Sequence, residues 1–482
     1  MNWYAIQLEC LLAILAVVVL LTDAFRPVRD ARRIGLILSA LVGLTLLYSF
    51  TMQPLGEAVF QGMYRLDTLA LFFKRLFLLA TAFVLLMSAE FVERIEAGRV
   101  EFYVLLLLCA TGMLVLASAN DFILMFVALE LVTICFFVLT SYLRRQIPSL
   151  EAGTKYLILG ALSSGLTVYG IAYLLGITGT ANFEKLRAVL TEAPVGEATG
   201  LWFGMVLVLA GLGFKIASVP FQVWAPDVYQ GAPTPVTAML AVGSKAAGFV
   251  LLMRVLMTGL LPLEPVWGPV VLGLAGASLV YGNLGALPQR DIKRLLGYSS
   301  IGHAGYLLMG VAAVNALGVA AVLFYLGQYA FTTLCAFLAI MAVTRVTGRD
   351  DIASFAGLHR RAPILGLALF LAMMSLAGVP PLSGFFGKFQ LFAAVIDRAQ
   401  MDARYYWLAG IGAAAVVVSL YFYLNVGRAI YMQSSDRTDA IPVSWPVRVG
   451  LWICMGAMIG LGVYQRPLVD AALQAARVFG LE

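Results

Sequence analysis

The 482-residue sequence predicts an all-α polytopic membrane protein of about 14 transmembrane helices. Three observations carry that prediction. Hydrophobic residues make up 62% of the chain and charged residues 12%, with a mean hydropathy of +0.93, a balance no soluble domain of this length keeps. Apolar runs of about 18 to 25 residues recur from end to end, each long enough to cross a hydrocarbon core of roughly 30 Å as a helix. The basic residues, finally, gather in alternate connections between those runs.

In chain order the spans are expected to begin near Tyr4, Ile34, Thr68, Phe102, Phe122, Leu150, Leu201, Val236, Val266, Ile292, Gly318, Pro363, Tyr405 and Val447. The first run lacks a basic leader and an A-x-A-like site before Arg26, so it reads as a retained helix and not a cleaved signal. Connections after the odd-numbered spans hold Arg26, Arg29, Arg32, Arg33, Arg144, Arg145, Arg290, Lys293, Arg294, Arg345 and Arg349. The opposite loops are poorer, with Arg65, Lys185, Arg187, Arg398 and Arg404 the main exceptions. By the positive-inside rule, and with an even number of spans, both termini are expected on the periplasmic side. The net charge of +6 is this anchoring to the lipid bilayer; scattered over loops, it is no nucleic-acid footprint.

Several chemistries drop out. Cys10, Cys109, Cys135, Cys335 and Cys454 stand alone in apolar segments without metal-ligand spacing, so neither a metal nor an iron–sulfur centre is expected. No GxGxxG or GxxxxGK[ST] loop occurs, and no soluble stretch is large enough for a nucleotide domain.

Two Val-Pro breaks interrupt apolar runs: Ser218-Val219-Pro220-Phe221, just after Lys215, and Gly378-Val379-Pro380-Pro381, just before Lys388. Proline removes a helical hydrogen bond, and freed backbone groups at membrane depth persist only where protein or water satisfies them. Paired breaks of this kind hint at an internal duplication.

Ionisable residues inside the spans are functional by default, because a lipid-facing lysine at a helix centre costs roughly 2.5–3.5 kcal/mol or more. Glu130 lies well inside FVALELVTICFF and needs a cationic partner, for which Lys215 in GFKIASVPF is the obvious candidate. Moving the two apart would release a proton; a static pair fixing helix register is the competing reading. Lys245, in AVGSKAAGF, sits among small residues that allow close helix approach. Lys155 has Glu151 at i−4, the spacing of an ordinary surface pair. Lys388 follows the second break, where the alternative is an interfacial anchor. His303 shares a helical face with Ser299 and Tyr306, a candidate hydrogen-bonded track, with a satisfied core histidine as the alternative. His359 reads as a surface residue in a basic loop, Lys74 and Arg75 as span-end residues without an assigned role, and Arg254 as a span-end arginine that snorkels.

GFKIASVPFQVWAPDVYQGAPTPV, with KYLILGALSSG, QRDIKRLLGYSSIGHAGY and LAGVPPLSGFFGKF, resembles the subunit N family of the proton-pumping NADH:quinone oxidoreductase, respiratory complex I. The resemblance runs over essentially the whole chain. Subunits L and M and the multisubunit cation/proton antiporters usually carry Asp-Ala-His where this chain has Asp227-Val228-Tyr229. The resemblance implies two inverted five-helix repeats, each with one discontinuous helix. That divides the single membrane domain into N-terminal helices (1–100), a first repeat (101–257), a second (265–433) and a C-terminal helix (434–482). It implies a mid-membrane proton path through Glu130, Lys155, Lys215, Lys245, His303 and Lys388, with Gln222 standing where the family more often has a titratable histidine.

It further implies no cofactor on this chain, with NADH, FMN, iron–sulfur clusters and quinone on other subunits. Partners would be antiporter-like and small membrane subunits of the complex in a bacterial inner membrane. A cation/proton antiporter subunit and a passive membrane-arm scaffold are the other two readings.

Overall fold

The computed structural model describes residues 3–26, 30–192, 199–434 and 439–481, so Arg29 lies outside the described residues. They form a bundle of α-helices: α1 (Gln7–Phe25), α2 (Ala31–Ser49), α3 (Thr68–Phe91), α4 (Arg99–Ser118), α5 (Phe122–Thr140), α6 (Ile147–Thr178), α7 (Phe183–Glu192), α8 (Thr199–Ile216) and α9 (Trp224–Gly231). One long helical run, α10 (Thr234–Gly259), follows. The chain continues through α11 (Glu264–Ala286), α12 (Ile292–Ala312), α13 (Ala316–Thr347), α14 (Pro363–Ala377), α15 (Ser383–Ala399), α16 (Arg404–Met432), α17 (Trp445–Val463) and α18 (Arg466–Ala476). Each expected span start falls within one helical turn of a helix start. Among the described residues, 11 helices are long and apolar enough to cross a membrane, and Gly200–Ile216 and Pro363–Ala377 are shorter apolar helices.

Burial sorts the helices. α10 is buried all round and α13 nearly so, which places these two helices at the centre of the bundle. α1, α2 and α6 bury a third or less of their length and show outward rows of Leu, Ile and Val, the surface a bilayer would wet.

Helix ends are set by short side chains. Asp67, Asp121, Asp291 and Asn315 accept from the backbone N–H of Ala70, Ile123, Arg294 and Gly318 at 2.7–2.9 Å, satisfying first-turn donors that have no helical partner. Gly179 and Gly348 close α6 and α13 in the left-handed conformation, where a side chain would be strained.

Both Val-Pro motifs break their helices as expected. α8 ends at Ala217, φ +56°, and the chain resumes as α9 after Ser218–Val223. α14 ends at Gly378, φ +89°, and resumes as α15 at Ser383. The freed groups are satisfied by protein: the Trp224 indole N–H donates to the Phe214 carbonyl at 2.9 Å, and Val219 N–H donates to Ser278 Oγ at 3.0 Å. α10 is irregular instead of broken, with π-helical turns at Leu240–Ser244 and Arg254–Gly259. Such π-turns cluster at functional positions.

Candidate functional site

Lys215, Lys245 and Lys388 are the three buried lysines beside these irregularities, each 3–4% exposed. Their settings share one chemistry. Lys215 Nζ donates to Thr133 Oγ1 at 3.3 Å and lies 5.6 Å from the centre of the Phe136 ring. Lys245 Nζ donates to the carbonyl and hydroxyl of Ser300 and lies 5.6 Å from the Tyr329 ring. Lys388 Nζ donates to the Ala377 carbonyl at 2.9 Å and lies 4.9 Å from the Tyr306 ring. Among the described residues none of the three is in an ion pair; neutral oxygens and ring faces hold them. An ammonium and a neutral amine can both donate to the same acceptor, so these sites tolerate a change of charge without rearrangement.

The expected direct pairing of Glu130 with Lys215 is absent. Glu130 Oε1 accepts from Ser164 Oγ of α6 at 2.5 Å, while Lys215 is anchored on Thr133, one turn further along α5. The reason is the helix repeat: Glu130 and Thr133 are i and i+3 on one face, and the hydroxyl is the one that meets the amine.

Lys155 keeps its predicted contact with Glu151 at 2.7 Å, but also reaches Asp227 of α9 at 2.5 Å. Arg294 of α12 approaches the other Asp227 oxygen at 2.5 Å, and Lys293 donates to the Ala232 carbonyl at 3.1 Å. Asp227 thus ties the half-helix after the first break to α6 and α12. It borders a cavity of about 470 Å³ lined by Glu151, Asp227, Asp291, Lys293, Arg294 and Asp350 among others. In the loop at its rim, burial holds the Asp291 carboxyl above the usual carboxylate range.

His303 is fully engaged. Its Nδ1 meets Tyr325 Oη at 2.6 Å and its Nε2 meets Tyr423 Oη at 3.0 Å, and Tyr423 in turn bonds Ser299 Oγ. The expected Ser299–His303–Tyr306 track is therefore corrected. Tyr423 of α16 bridges serine and histidine, while the Tyr306 hydroxyl turns away to donate to the Gly412 carbonyl at 3.1 Å. Tyr306 still links the site by its ring, which lies against both His303, at 6.2 Å between ring centres, and Lys388.

Lys388 is buried against the break it follows, which sets aside the alternative of an interfacial anchor. Two further expectations change. Arg254 does not snorkel; it is buried and donates to both oxygens of Asp67 at 2.8 and 3.0 Å. His359 is half-buried, bonded to the Ile430 carbonyl at 2.7 Å. Gln222 lies buried within the first break, and its Oε1 has no protein partner. Among the described residues no cluster of three or more His, Cys, Asp or Glu is placed to hold a metal.

An all-helical bundle with two broken helices and buried, neutrally held lysines defines an antiporter-type membrane subunit. Residues 119–419 match the family described as NADH:quinone oxidoreductase/Mrp antiporter, transmembrane. The NADH-quinone oxidoreductase subunit N of Heliobacterium modesticaldum is 40% identical over 99% of both chains. A chain of respiratory complex I from Thermus thermophilus superposes with a TM-score of 0.80 at 32% identity, covering 96% of this chain and 98% of that one. A chain of the Mrp complex from Dietzia sp. shares the fold alone, with a TM-score of 0.84 at 22% identity over 99% of this chain and 97% of that one. The chain belongs to the NADH-quinone oxidoreductase subunit N family.

Proposed function

We propose that this chain translocates protons in the membrane arm of NADH:quinone oxidoreductase, driven by electron transfer from NADH to quinone on other subunits. The observation that carries the reading is the set of three buried lysines, each held by a neutral oxygen and an aromatic face beside a break or π-turn. In this reading Glu130 biases the charge on Lys215, Lys155 and Lys245 link the centre of the bundle to the charged cavity, His303 relays between tyrosines, and Lys388 stands on the outlet side.

The redox groups, NADH, FMN, iron–sulfur clusters and quinone, sit on partner subunits. This chain packs against antiporter-like and small membrane subunits and against lipid. It crosses a bacterial inner membrane 14 times with both termini periplasmic, and residues 101–257 and 265–433 form inverted repeats around the breaks at Val219-Pro220 and Val379-Pro380.

The test is a mild-detergent pull-down of the tagged chain from its own host, followed by reconstitution. Inhibitor-sensitive NADH:quinone reductase activity that co-purifies, with proton pumping lost in Lys215→Ala while assembly persists, supports the reading. Sodium-dependent exchange without NADH would replace it with a cation/proton antiporter, and normal pumping after loss of several buried lysines would leave only a scaffold.

A further inference from the structure

One outward side of the bundle is concave. Gly273, Gly276 and Ala277 lower the outward face of α11, and α12 and α16 pack on either side of it. Between the three helices lies a groove of about 790 Å³. Tyr298 of α12 closes one end, and Trp407 of α16, 80% exposed, stands over the other. Apart from that indole and the phenols of Tyr281 and Tyr298, every side chain lining the groove is apolar.

Its dimensions and its charge narrow what fits. Small residues at this spacing let another helix approach closely, but the space here is too slender for one. The lining runs along α11 from Leu272 to Gly285, about 20 Å at 1.5 Å per residue. The mean section of the groove is then about 40 Å², half or less of the roughly 80–110 Å² of a helix 10–12 Å across. An acyl chain is thinner and brings no backbone polar groups that need partners.

The Tyr298 end is positive. Arg294 lies 5.9 Å from the centre of the Tyr298 ring, although Asp227 already holds its charge. Arg290, in the turn just beyond Gly285, is exposed, and among the described residues its side chain is in no ion pair. The Tyr281 ring stands 6.1 Å from that of Tyr298, so two phenol hydroxyls lie at the same end as the free cation. Lipid tails are as apolar as leucine, so a chain gains no hydrophobic energy by leaving the bilayer for the groove. Shape, through dispersion contacts, and attraction at the headgroup are what retain it.

We propose that this groove is a binding site for one anionic phospholipid, with its acyl chains laid along Gly273, Gly276 and Ala277. Its phosphate stands beside Arg290 and the hydroxyls of Tyr281 and Tyr298. The site is independent of proton movement, and no covalent step is involved.

The test uses the assembled complex in phosphatidylcholine liposomes doped with phosphatidylglycerol, or with phosphatidylcholine, carrying a diazirine in one acyl chain. After illumination, labelled peptides are mapped by mass spectrometry. In the parent, the phosphatidylglycerol probe is expected to label residues 272–285 and 407–411 about fivefold more than the phosphatidylcholine probe, the preference that one arginine near the surface provides. Gly273→Leu with Gly276→Leu fills the groove without disturbing the helix. A Cβ at Gly273 meets nothing within 4 Å, and one at Gly276 meets only Ile411 and Leu408 at 3.7 and 3.9 Å. That double variant is expected to lose the labelling. Arg290→Gln is expected to keep it and lose the preference for phosphatidylglycerol, and decides the matter should the filled variant fail to assemble. Equal labelling by the two probes in the parent, labelling unchanged in the filled variant, or a preference unchanged in Arg290→Gln would each overturn the site. Crosslinking of this face to another subunit in place of lipid would overturn it as well.

Discussion

The two broken helices carry the same device for different ends. In α8–α9 the lysine precedes the break, and the Phe214 carbonyl accepts from the Ala217 N–H at 3.0 Å and from the Trp224 indole at 2.9 Å, so the break is satisfied without Lys215, which bonds Thr133 instead. In α14–α15 the lysine follows the break, and Lys388 itself satisfies the loose Ala377 carbonyl. The packing is tight enough that a Cβ on Gly378 would fall 3.0 Å from Lys388 Cδ. The difference teaches that a buried lysine beside a proline break can be a mobile charge with a separate structural cap, or be charge and cap at once. Among the described residues Lys388 forms no ion pair; it lies over the Tyr306 ring, which in turn lies against His303.

Removing the mobile charge gives the largest effect. Lys215→Met is expected to lower NADH-driven proton translocation in liposomes by about a hundredfold, the lower reach of a lost acid–base group. Thermal stability of the assembled complex should be unchanged, since no carboxylate is left unpaired by contact and the Trp224 cap remains. A large loss of stability would mean that Lys215 is a structural residue and the contrast between the breaks is mistaken.

Lys388→Met should fail in both respects. Proton translocation falls, and the Ala377 carbonyl loses its donor, at a cost of about 1–3 kcal/mol for an unmade buried hydrogen bond. A lower midpoint of thermal inactivation, seen here and not in Lys215→Met, is the signature sought. Trp224→Phe makes the mirror-image change, deleting the cap of the first break and keeping its lysine. It is expected to destabilise by about 0.5–1.5 kcal/mol, because the Phe214 carbonyl keeps the Ala217 N–H, while leaving proton yield per NADH near that of the parent. Lost pumping with normal stability would show that the indole belongs to the proton route.

The fold was legible because length and composition set it: apolar runs of membrane length, and prolines whose missing N–H had to interrupt them, each showed at one position in the chain. The buried cations were legible for the same reason, a charge inside an apolar run. Their partners were not. Lys215 meets Thr133 from another helix, Lys245 meets Ser300, and His303 meets Tyr423, 120 positions away. Hydroxyls and tyrosines are ordinary in such helices, so no local pattern marks the one that is reached. Arg254 was misread because position in the span favoured snorkelling, whereas its partner Asp67 lies across the bundle before α3. Asp227 was in plain view in APDVYQG, a carboxylate beside a break, yet its tie to Lys155 and Arg294 needed the packing of α6, α9 and α12.

Asp227 also tests whether the first break is hinged on its far side. The carboxylate is about a quarter exposed and Lys155 and Arg294 are 40% and 31% exposed, so water screens these pairs and their stabilising effect is small, about 0.2–1 kcal/mol each. Asp227→Asn keeps the shape and removes the charge. Lys155 retains Glu151 at 2.7 Å, and Arg294 retains the Gln230 side-chain Oε1 at 3.1 Å, so neither cation is stranded. Stability should therefore fall by less than about 1 kcal/mol. What changes is the restraint on α9: the half-helix loses its charged link to α6 and α12, whereas α15 keeps Lys388 across its own break. Proton yield is expected to drop modestly and to become less sensitive to added salt than in the parent, because the interaction that salt screens is gone. A parent-like salt dependence in Asp227→Asn would show that the charges on Lys155 and Arg294 act independently of α9, and that the first break is held by its Trp224 cap alone.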